Sequence, residues 1–304
     1  MAYPMARALH FPLFLCIFAL FSGLGCKTTP DQATTPVNPL ANLPVEKNPS
    51  GLVIVQGNTS QGSEPRHAPI TMLILHHTAG SLASSYDVLQ GRLPHHQVGI
   101  HYLVTDEPQP RVIRMVPEDR EAFHAGHSAW RNLESLNQYS IGIEIVNLDG
   151  NVHPYPAAQK EVVLKLCEDI LKRNPGIKPT EVLAHSDIAV GRKIDPGSFF
   201  PWASFALHQV GVWPLNSDVQ SFLRTAPTAS PEEMRRMLEQ YGYHLEATEA
   251  GLKMGIEAFQ RHFRPTKVDG IADAETVATL RALLKRYPPS PLPATFKTSS
   301  KPKV

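Results

Sequence analysis

The sequence predicts an α/β (α+β) protein in which helices flank a mixed central sheet, followed by a small three-helix bundle. Short runs rich in β-branched and other apolar residues alternate with helical patterns over the first two thirds of the chain, which favours a mixed sheet covered by helices. A second region with helical periodicity follows a link that contains Pro, Ser and Thr. The 304 residues are enough for about two domains of roughly 150 residues each.

Six short segments are the candidate strands of the sheet. They are residues 52–55, 70–75, 101–104, 112–116, 141–146 and 181–184. The clearest helix covers residues 156–174, where apolar residues recur at three- and four-residue spacing. We expect it to end at Asn174, because Pro175 and Gly176 follow.

Composition sets the limits around these elements. Residues 27–50 predict a flexible tether and residues 288–304 a disordered tail, since both are rich in Pro and small polar residues. The first domain then spans residues 51–213 and the second residues 214–287. A net charge of +1 gives no reason to expect a nucleic-acid partner. Cys167 is expected to be a small buried apolar residue without a disulfide partner.

Residues 1–26 are similar to a bacterial lipoprotein signal peptide. Arg7 precedes an apolar run that is short for a membrane span, and small residues then lead to Cys26. Gly23 departs from the lipoprotein pattern, which prefers Leu there, and an ordinary secretory signal is the alternative. Lys27, not an aspartate, follows the cysteine. The resemblance therefore implies lipidation of Cys26 and an outer-membrane lipoprotein that faces the periplasm.

His76 is the first candidate for a functional residue. It ends the apolar run at 70–75, and a strand end is a rigid place from which to present a side chain to a cleft. Taken alone, a histidine there is as readily a capped or core residue. Its neighbour His77 points to the opposite face of the strand, because side chains alternate. We therefore expect at most one of the pair to bind a metal.

Glu144 is the second candidate, because it is embedded in the apolar segment at 141–146. A buried carboxylate without a partner is costly. The alternative is a glutamate on the exposed face of an edge strand. If Glu144 faces a reacting water instead, it can accept the proton of that water and pass it to a leaving amine.

The segment at 184–197 supplies the remaining candidates, His185, Lys193 and Asp195. Asp195 before Pro and Gly is typical of a plain turn, and Lys193 alone would be a solvated cation. Three ligands drawn from His, Asp, Glu or Cys, with water in a fourth position, make a catalytic zinc site. Together with His76 and Glu144, the segment predicts a zinc site held by His76, His185 and Asp195.

Five segments carry a family resemblance: LILHHTAG, HYLV, FHAGHSAW, IGIEIVN and AHSDIAVGRKIDPGSFFPW. They resemble the zinc-dependent N-acetylmuramoyl-L-alanine amidases of the family-2 type, whose superfamily also includes the peptidoglycan recognition proteins. The resemblance implies hydrolysis of the amide bond between the lactyl group of N-acetylmuramic acid and L-alanine of peptidoglycan stem peptides. The implied roles are one Zn²⁺ per chain on His76, His185 and Asp195, a general base at Glu144 and an oxyanion stabiliser at Lys193.

Further roles follow from the same resemblance. It places His124 and Trp130 in contact with the substrate, although a satisfied polar histidine and a packing tryptophan are equal alternatives. The roles of His77 and His101 stay open. A non-catalytic recognition protein on the same fold, or a metal-free structural lipoprotein that links wall and membrane, would not need the whole metal set. The presence of all three ligands and Glu144 favours the enzyme.

The second domain resembles a peptidoglycan-binding module, through the pattern AFQRHF followed by VDGIAD and ET. Its first helix is expected in residues 217–224 or from Pro231 onward, since Pro and acidic residues favour a helix start. Phe259 is expected in the core, and Asp273 is expected to cap the last helix. The implied partners are peptidoglycan or muropeptides and, through the lipid anchor, a membrane. The protein is expected to be a monomer.

Overall fold

A computed structural model of the chain describes residues 40, 42–57, 60–92 and 97–288. These residues all belong to one compact unit. The predicted signal peptide with Cys26, much of the predicted tether and residues 289–304 of the predicted tail lie outside the described residues. No helix in the described ranges combines the length and apolar character needed to cross a bilayer.

A seven-stranded mixed sheet forms the core of the first domain. In spatial order its strands are β1 (Val45–Lys47), β2 (Val53–Gln56), β6 (Val112–Arg114), β5 (Tyr102–Val104), β10 (Ser140–Ile145), β4 (Met72–His77) and β11 (Val182–Ala184). Strand β4 runs parallel to both β10 and β11, and β10 runs parallel to β5. The pairs β1–β2 and β5–β6 are antiparallel. The predicted mixed sheet is therefore confirmed.

The remaining strands and α-helices of this domain are short except for one helix. They are β3 (Ser63–Pro65), β7 (Arg120–Ala122), β8 (Ala129–Trp130), β9 (Leu133–Glu134), α1 (Leu82–Leu89), α2 (Ala157–Arg173), α3 (His185–Ile188) and α4 (Trp202–Ala206). Helix α2 matches the predicted helix to within one residue at each end and stops before Pro175.

Strand β4 is buried at every residue, as expected for a parallel strand covered on both faces. Helix α2 packs Val163, Leu166, Cys167 and Ile170 into the same apolar cluster as the strand residues. Cys167 is fully buried with a free thiol, which confirms its predicted place in the core. Each buried aliphatic side chain of this helix contributes about 1.5–3 kcal/mol to the free energy of folding by leaving water. The sheet edge that carries the candidate ligands therefore rests on a rigid core.

The predicted boundary between the tether at 27–50 and the first domain lies too late in the chain. Val45–Lys47 form strand β1, which pairs with β2 at the edge of the sheet. Leu40 is only 2 % exposed and packs in the apolar cluster around Val55 and Ile113. The folded domain thus begins before residue 51. Composition alone missed this strand because its side chains are exposed and its pairing partner supplies the order.

The second domain contains four helices where three were expected: α5 (Asn216–Thr225), α6 (Pro231–Tyr241), α7 (Glu249–Phe263) and α8 (Ala274–Arg286). Both candidates for the first helix form. Helix α5 is stabilised because its Val219 packs against Ala278 and Ala282 of α8. Two further predictions are confirmed, since Pro231 is the first residue of α6 and Phe259 has no exposed surface.

Helix α8 begins where the sequence predicts. The Asp273 carboxylate accepts a hydrogen bond from the Thr276 amide at 3.0 Å. This contact satisfies one of the free amides at the start of the helix, which is the usual work of an N-cap aspartate.

Candidate active site

The carboxyl ends of three adjacent parallel strands meet at one edge of the sheet. His76 is the penultimate residue of β4, and Glu144 lies opposite it on β10 in the strand register. Ala184, the last residue of β11, pairs with Leu75, so His185 emerges beside His76. Ligands in open α/β sheets commonly bind at this edge. The topology thus brings together residues that are far apart in the chain.

His76, His185 and Asp195 converge on a single point. The Nδ1 atoms of the two histidines are 2.9 Å apart. Oδ2 of Asp195 lies 3.2 Å from Nδ1 of His76 and 3.0 Å from Nδ1 of His185. All three side chains are buried, and their candidate ligand atoms lie within 4.8 Å of one another.

The electrostatics of this cluster suit a cation. Burial, with repulsion from His185, lowers the pKa of His76 to about 4, which keeps its imidazole neutral. Burial acts to raise the pKa of Asp195, but contacts with His185 and His76 outweigh it and hold that pKa well below its usual range. Metal ligands must be deprotonated. Two imidazoles and a carboxylate are a donor set that zinc accepts, so the three residues fit a zinc ion.

Hydrogen bonds behind the cluster orient both imidazoles. Nε2 of His185 donates to the Ala125 carbonyl at 3.2 Å, which leaves the lone pair of Nδ1 for the cluster. Nε2 of His76 lies 3.0 Å from Nδ1 of His124. If Nδ1 of His76 is the ligand atom, Nε2 carries the proton and donates to His124. Such partners fix the ring orientation and the tautomer of a metal-binding histidine.

His124 therefore has a structural contact that the sequence did not predict. Its Nε2 lies 3.2 Å from the Ser140 hydroxyl, which in turn donates to the Leu136 carbonyl at 2.7 Å. Burial, with the nearby His76 and His101 rings, lowers its pKa well below the usual range. His124 also lines the cleft. It is therefore placed both to orient His76 and to contact a molecule bound in the cleft.

Glu144 borders the same cluster. Its Oε2 lies 3.9 Å from Nδ1 of His76, and 15 % of its side chain is exposed, at the cleft. Burial raises the pKa of the Glu144 carboxyl well above its usual range; the negative charge of Asp195 adds to this, and Lys193 opposes it. A carboxylate with a raised pKa is a stronger base. Glu144 is therefore in a position to accept a proton.

A cleft of about 400 Å³ opens over these groups, within the range common for small-ligand sites. Lys193 lines it beside Glu144, and Val88, Leu148 and Ile194 form apolar parts of its rim. The exposed Arg192 is anchored from one side, because its Nη2 donates to the carbonyls of Ala125 and His127. The sequence offered no signal for these contacts of Arg192.

The two histidines left open by the sequence have structural contacts. Nδ1 of His77 accepts a hydrogen bond from the Gly150 amide at 3.2 Å. A side chain on Gly150 would collide with the Pro196 carbonyl, next to Asp195. His77 thus supports the loop against which the Asp195 segment packs. Nδ1 of His101 accepts from the Gly142 amide at 3.0 Å, and its ring is fully buried.

The expectation that Trp130 contacts the substrate is corrected by the structure. Trp130 has no exposed surface. Its ring packs edge-on against Tyr243 and Tyr241 of the second domain, with centroids 5.1 Å and 6.0 Å apart. The packing alternative is the right one, because the second domain covers this part of the first.

Replacing Trp130 with alanine is expected to lower the free energy of unfolding by about 3–5 kcal/mol, because it empties a packed aromatic site. Denaturant unfolding measures this. Leu207→Ala is the control, since Leu207 is 85 % exposed and a surface change of this kind costs about 0.5 kcal/mol or less. An unchanged stability with a raised KM would restore the substrate-contact interpretation.

Comparison with protein families agrees with this geometry. Residues 66–198 match the N-acetylmuramoyl-L-alanine amidase family model. Residues 228–280 match a model described as a putative peptidoglycan-binding domain. The first match contains His76, His185 and Asp195 as well as Glu144 and Lys193.

One relative extends the match over most of the chain, and a second matches a shorter part. The N-acetylmuramoyl-L-alanine amidase AmiD of Escherichia coli is 38 % identical over 257 residues, which cover 78 % of this chain and 91 % of AmiD. The 1,6-anhydro-N-acetylmuramyl-L-alanine amidase AmpD of Enterobacter cloacae is 40 % identical over 94 residues, or 31 % of this chain and 49 % of AmpD.

Two solved structures have the same fold. AmiD from E. coli, in complex with its substrate anhydro-N-acetylmuramic acid-L-Ala-D-gamma-Glu-L-Lys, superposes with a TM-score of 0.66 at 37 % identity, covering 80 % of this chain and 98 % of AmiD. AmpDH3 from Pseudomonas aeruginosa, in complex with an anhydromuramic pentapeptide, gives 0.68 at 33 % identity and covers 74 % of this chain and 95 % of AmpDH3. Both matches include regions beyond the amidase domain.

Proposed function

This chain belongs to the N-acetylmuramoyl-L-alanine amidase family and is an enzyme of that class, and we propose that it works by a zinc-dependent mechanism. The bond it cuts is the amide between the lactyl group of N-acetylmuramic acid and L-alanine of a peptidoglycan stem. The observation that carries the mechanism is the convergence of His76, His185 and Asp195 beside Glu144.

The proposed ligands are Nδ1 of His76, Nδ1 of His185 and a carboxylate oxygen of Asp195. When bound there, zinc supplies Lewis acidity, which polarises the scissile carbonyl and makes water more acidic. The buried partners of the two imidazoles, Ala125 and His124, keep the ligands in place. The protein therefore supplies a preorganised site.

Glu144 moves the proton. As a carboxylate it accepts a proton from the water that attacks the lactyl carbonyl. It then returns the proton to the amine nitrogen of L-alanine as the carbon–nitrogen bond breaks. One water is consumed, and the products are a free carboxylate on the lactyl group and a free stem peptide. General acid–base catalysis of this kind contributes about 10²–10⁴-fold in rate.

Lys193 is the proposed oxyanion stabiliser, because it lines the same cleft as Glu144 and the three proposed ligands. We expect Lys193→Met, which keeps the apolar stem and removes the charge, to lower kcat by about 10²–10³-fold. Steady-state kinetics on a muropeptide measures this. Lys193→Arg, which retains a cation, is the matched control and should lose less. Equal kcat values for the wild type and the Met variant would remove Lys193 from the mechanism.

The test of the function uses a soluble chain without residues 1–26 and purified muropeptides, with products read by mass spectrometry. We expect a free stem peptide that begins at L-alanine, its loss on chelation and its recovery on addition of zinc. Wall binding without cleavage, even after zinc loading, would favour the second candidate, a recognition protein on this fold. The match of residues 228–280 to a peptidoglycan-binding family is the observation that supports such binding.

The second domain is proposed to hold the enzyme on peptidoglycan, in the bacterial cell envelope. This rests on the family match at residues 228–280. A pull-down with insoluble peptidoglycan, comparing the chain with and without competing muropeptides, measures the binding. The proposal fails if the protein stays in the supernatant at every ratio of wall to protein.

Lipidation of Cys26 is proposed to anchor the protein in the outer membrane, facing the periplasm. The apolar run and the small residues before Cys26 support it, and two or more acyl chains give stable anchoring. We expect Cys26→Ser to abolish incorporation of labelled palmitate in a bacterial host and to move the protein from the membrane to the soluble fraction. Unchanged labelling would show that the signal is not a lipoprotein signal.

A further inference from the structure

Asp187 is a fully buried carboxylate two residues after the proposed ligand His185. It ends the AHSD sequence at residues 184–187, and the proposed mechanism gives it no role. Its oxygens accept three hydrogen bonds, from the Ala184 amide at 2.8 Å, the Tyr243 hydroxyl at 2.8 Å and Nδ1 of His262 at 2.7 Å. A buried carboxylate needs such partners, because leaving it unpaired is costly.

Two of these three donors come from the second domain. His262 lies on α7 and is 2 % exposed, and Tyr243 lies just after α6 and is 1 % exposed. The His262 ring stacks on Trp202 at 3.9 Å and on Phe263 at 3.9 Å. Nε2 of His262 is buried without a hydrogen-bond partner among the described residues. The polar contact of this ring is therefore the one that Nδ1 makes with Asp187.

Asp187 connects these donors to the metal cluster. By accepting from Ala184 it fixes the first turn of α3, in which His185 is the first residue. The Ser186 amide donates to the Asp195 carbonyl at 3.0 Å, so the same turn also holds the third ligand. Hydrogen bonds of Asp187 and Ser186, joined by the backbone of residues 184–187, thus connect α7 to the segment that carries two of the three proposed ligands.

Helix α7 also contacts the middle of the same segment. Gly191 lies between His185 and Asp195 with φ of +73°, and a side chain there would collide with Met254 of α7. The segment that carries two ligands is thus held against the second domain at both its start and its middle.

From these contacts we propose that His262 and Tyr243 are positioning residues for the zinc site. The second domain then supports the segment that carries His185 and Asp195, in addition to contacting the wall. The inference rests on the proposed zinc mechanism, since it needs His185 and Asp195 to be ligands. Without the two donors the buried Asp187 carboxylate shifts toward other partners, and the turn that aims His185 loses its alignment. Direct hydrogen-bond partners of metal ligands commonly affect metal affinity by about 10–100-fold, and His262 and Tyr243 act one contact further out, through Asp187.

Two substitutions of His262 separate the hydrogen bond from ring packing. His262→Phe keeps a ring that stacks on Trp202 and Phe263 but removes the Nδ1 donor. His262→Asn removes the ring but places an amide donor close to the position of Nδ1. Zinc affinity of the full chain, measured by competition with a chromophoric chelator, is the readout. Thermal unfolding of the zinc-free proteins is recorded alongside.

We expect His262→Phe to bind zinc about tenfold more weakly than wild type, and His262→Asn to recover most of that loss. A role in packing alone predicts the reverse order, with the Phe variant closer to wild type. Zinc binding by His262→Phe that equals wild type, or weaker binding by Asn than by Phe, overturns the proposal.

A tyrosine pair makes the result independent of whether the His262 variants fold. Tyr243→Phe removes a hydroxyl that bonds Asp187, and Tyr241→Phe removes a neighbouring hydroxyl from the same aromatic cluster around Trp130. We expect weaker zinc binding for Tyr243→Phe alone. Equal affinities in the two variants count against the proposal. Wild-type protein that binds no zinc would instead refute the proposed function, and with it the role of His262.

Discussion

Glu144→Gln is expected to leave zinc binding intact and to lower kcat by about 10²–10⁴-fold, the range that a general base contributes. Glutamine has nearly the shape of glutamate but cannot accept the proton of the attacking water. The Glu144 side chain lies 3.9 Å from a nitrogen of His76, and it is not one of the three proposed ligands. Metal content by atomic spectroscopy and turnover of a purified muropeptide measure the two effects separately.

Glu121→Gln is the matched control for this prediction. Glu121 is also a strand glutamate, only 8 % exposed, but it lies on β7 and outside the residues that line the cleft. Its replacement should leave both zinc content and kcat near the wild-type values. Full turnover by a zinc-loaded Glu144→Gln variant would remove Glu144 from the mechanism and require another proton acceptor.

His76→Ala is expected to abolish stoichiometric zinc binding and to lower the rate by about 10³-fold or more. Lewis-acid stabilisation of a transition state is worth several kcal/mol, and each 1.36 kcal/mol corresponds to a factor of about ten in rate. His76 is a proposed ligand at the centre of the cluster, within 3.2 Å of both other members. Equilibrium dialysis against zinc, followed by muropeptide kinetics, measures both quantities.

The adjacent His77 provides a strict comparison. His77→Ala should retain one zinc per chain, because its Nδ1 accepts from the Gly150 amide and takes no part in the cluster. We expect it to lower the free energy of unfolding by about 1–3 kcal/mol, since the buried Gly150 amide loses its acceptor. If the two alanine variants exchanged these behaviours, the ligand assignment at the end of β4 would be wrong.

The central strands and the candidate site residues were accessible to sequence reasoning because their signals are local. Continuous apolar runs such as 70–75 predict buried strands, and His76 stands at the end of one. Glu144 is conspicuous because a carboxylate interrupts an apolar strand. Pro, Gly and capping residues mark helix ends within a residue or two, as at Asp273. The family resemblance then supplied the roles that these positions suggest.

Tertiary structure alone decided which surfaces are covered. Trp130 and Tyr243 are separated by more than a hundred residues, and no pattern around either one shows that the two rings meet. The same holds for strand β1, which is ordered by pairing with β2, and for Asp187, whose donors Tyr243 and His262 lie on another domain. Periodicity records which face of an element avoids water. It does not record which distant element covers that face. Burial, hydrogen-bond partners and the contacts between the two domains all depend on which elements pack together.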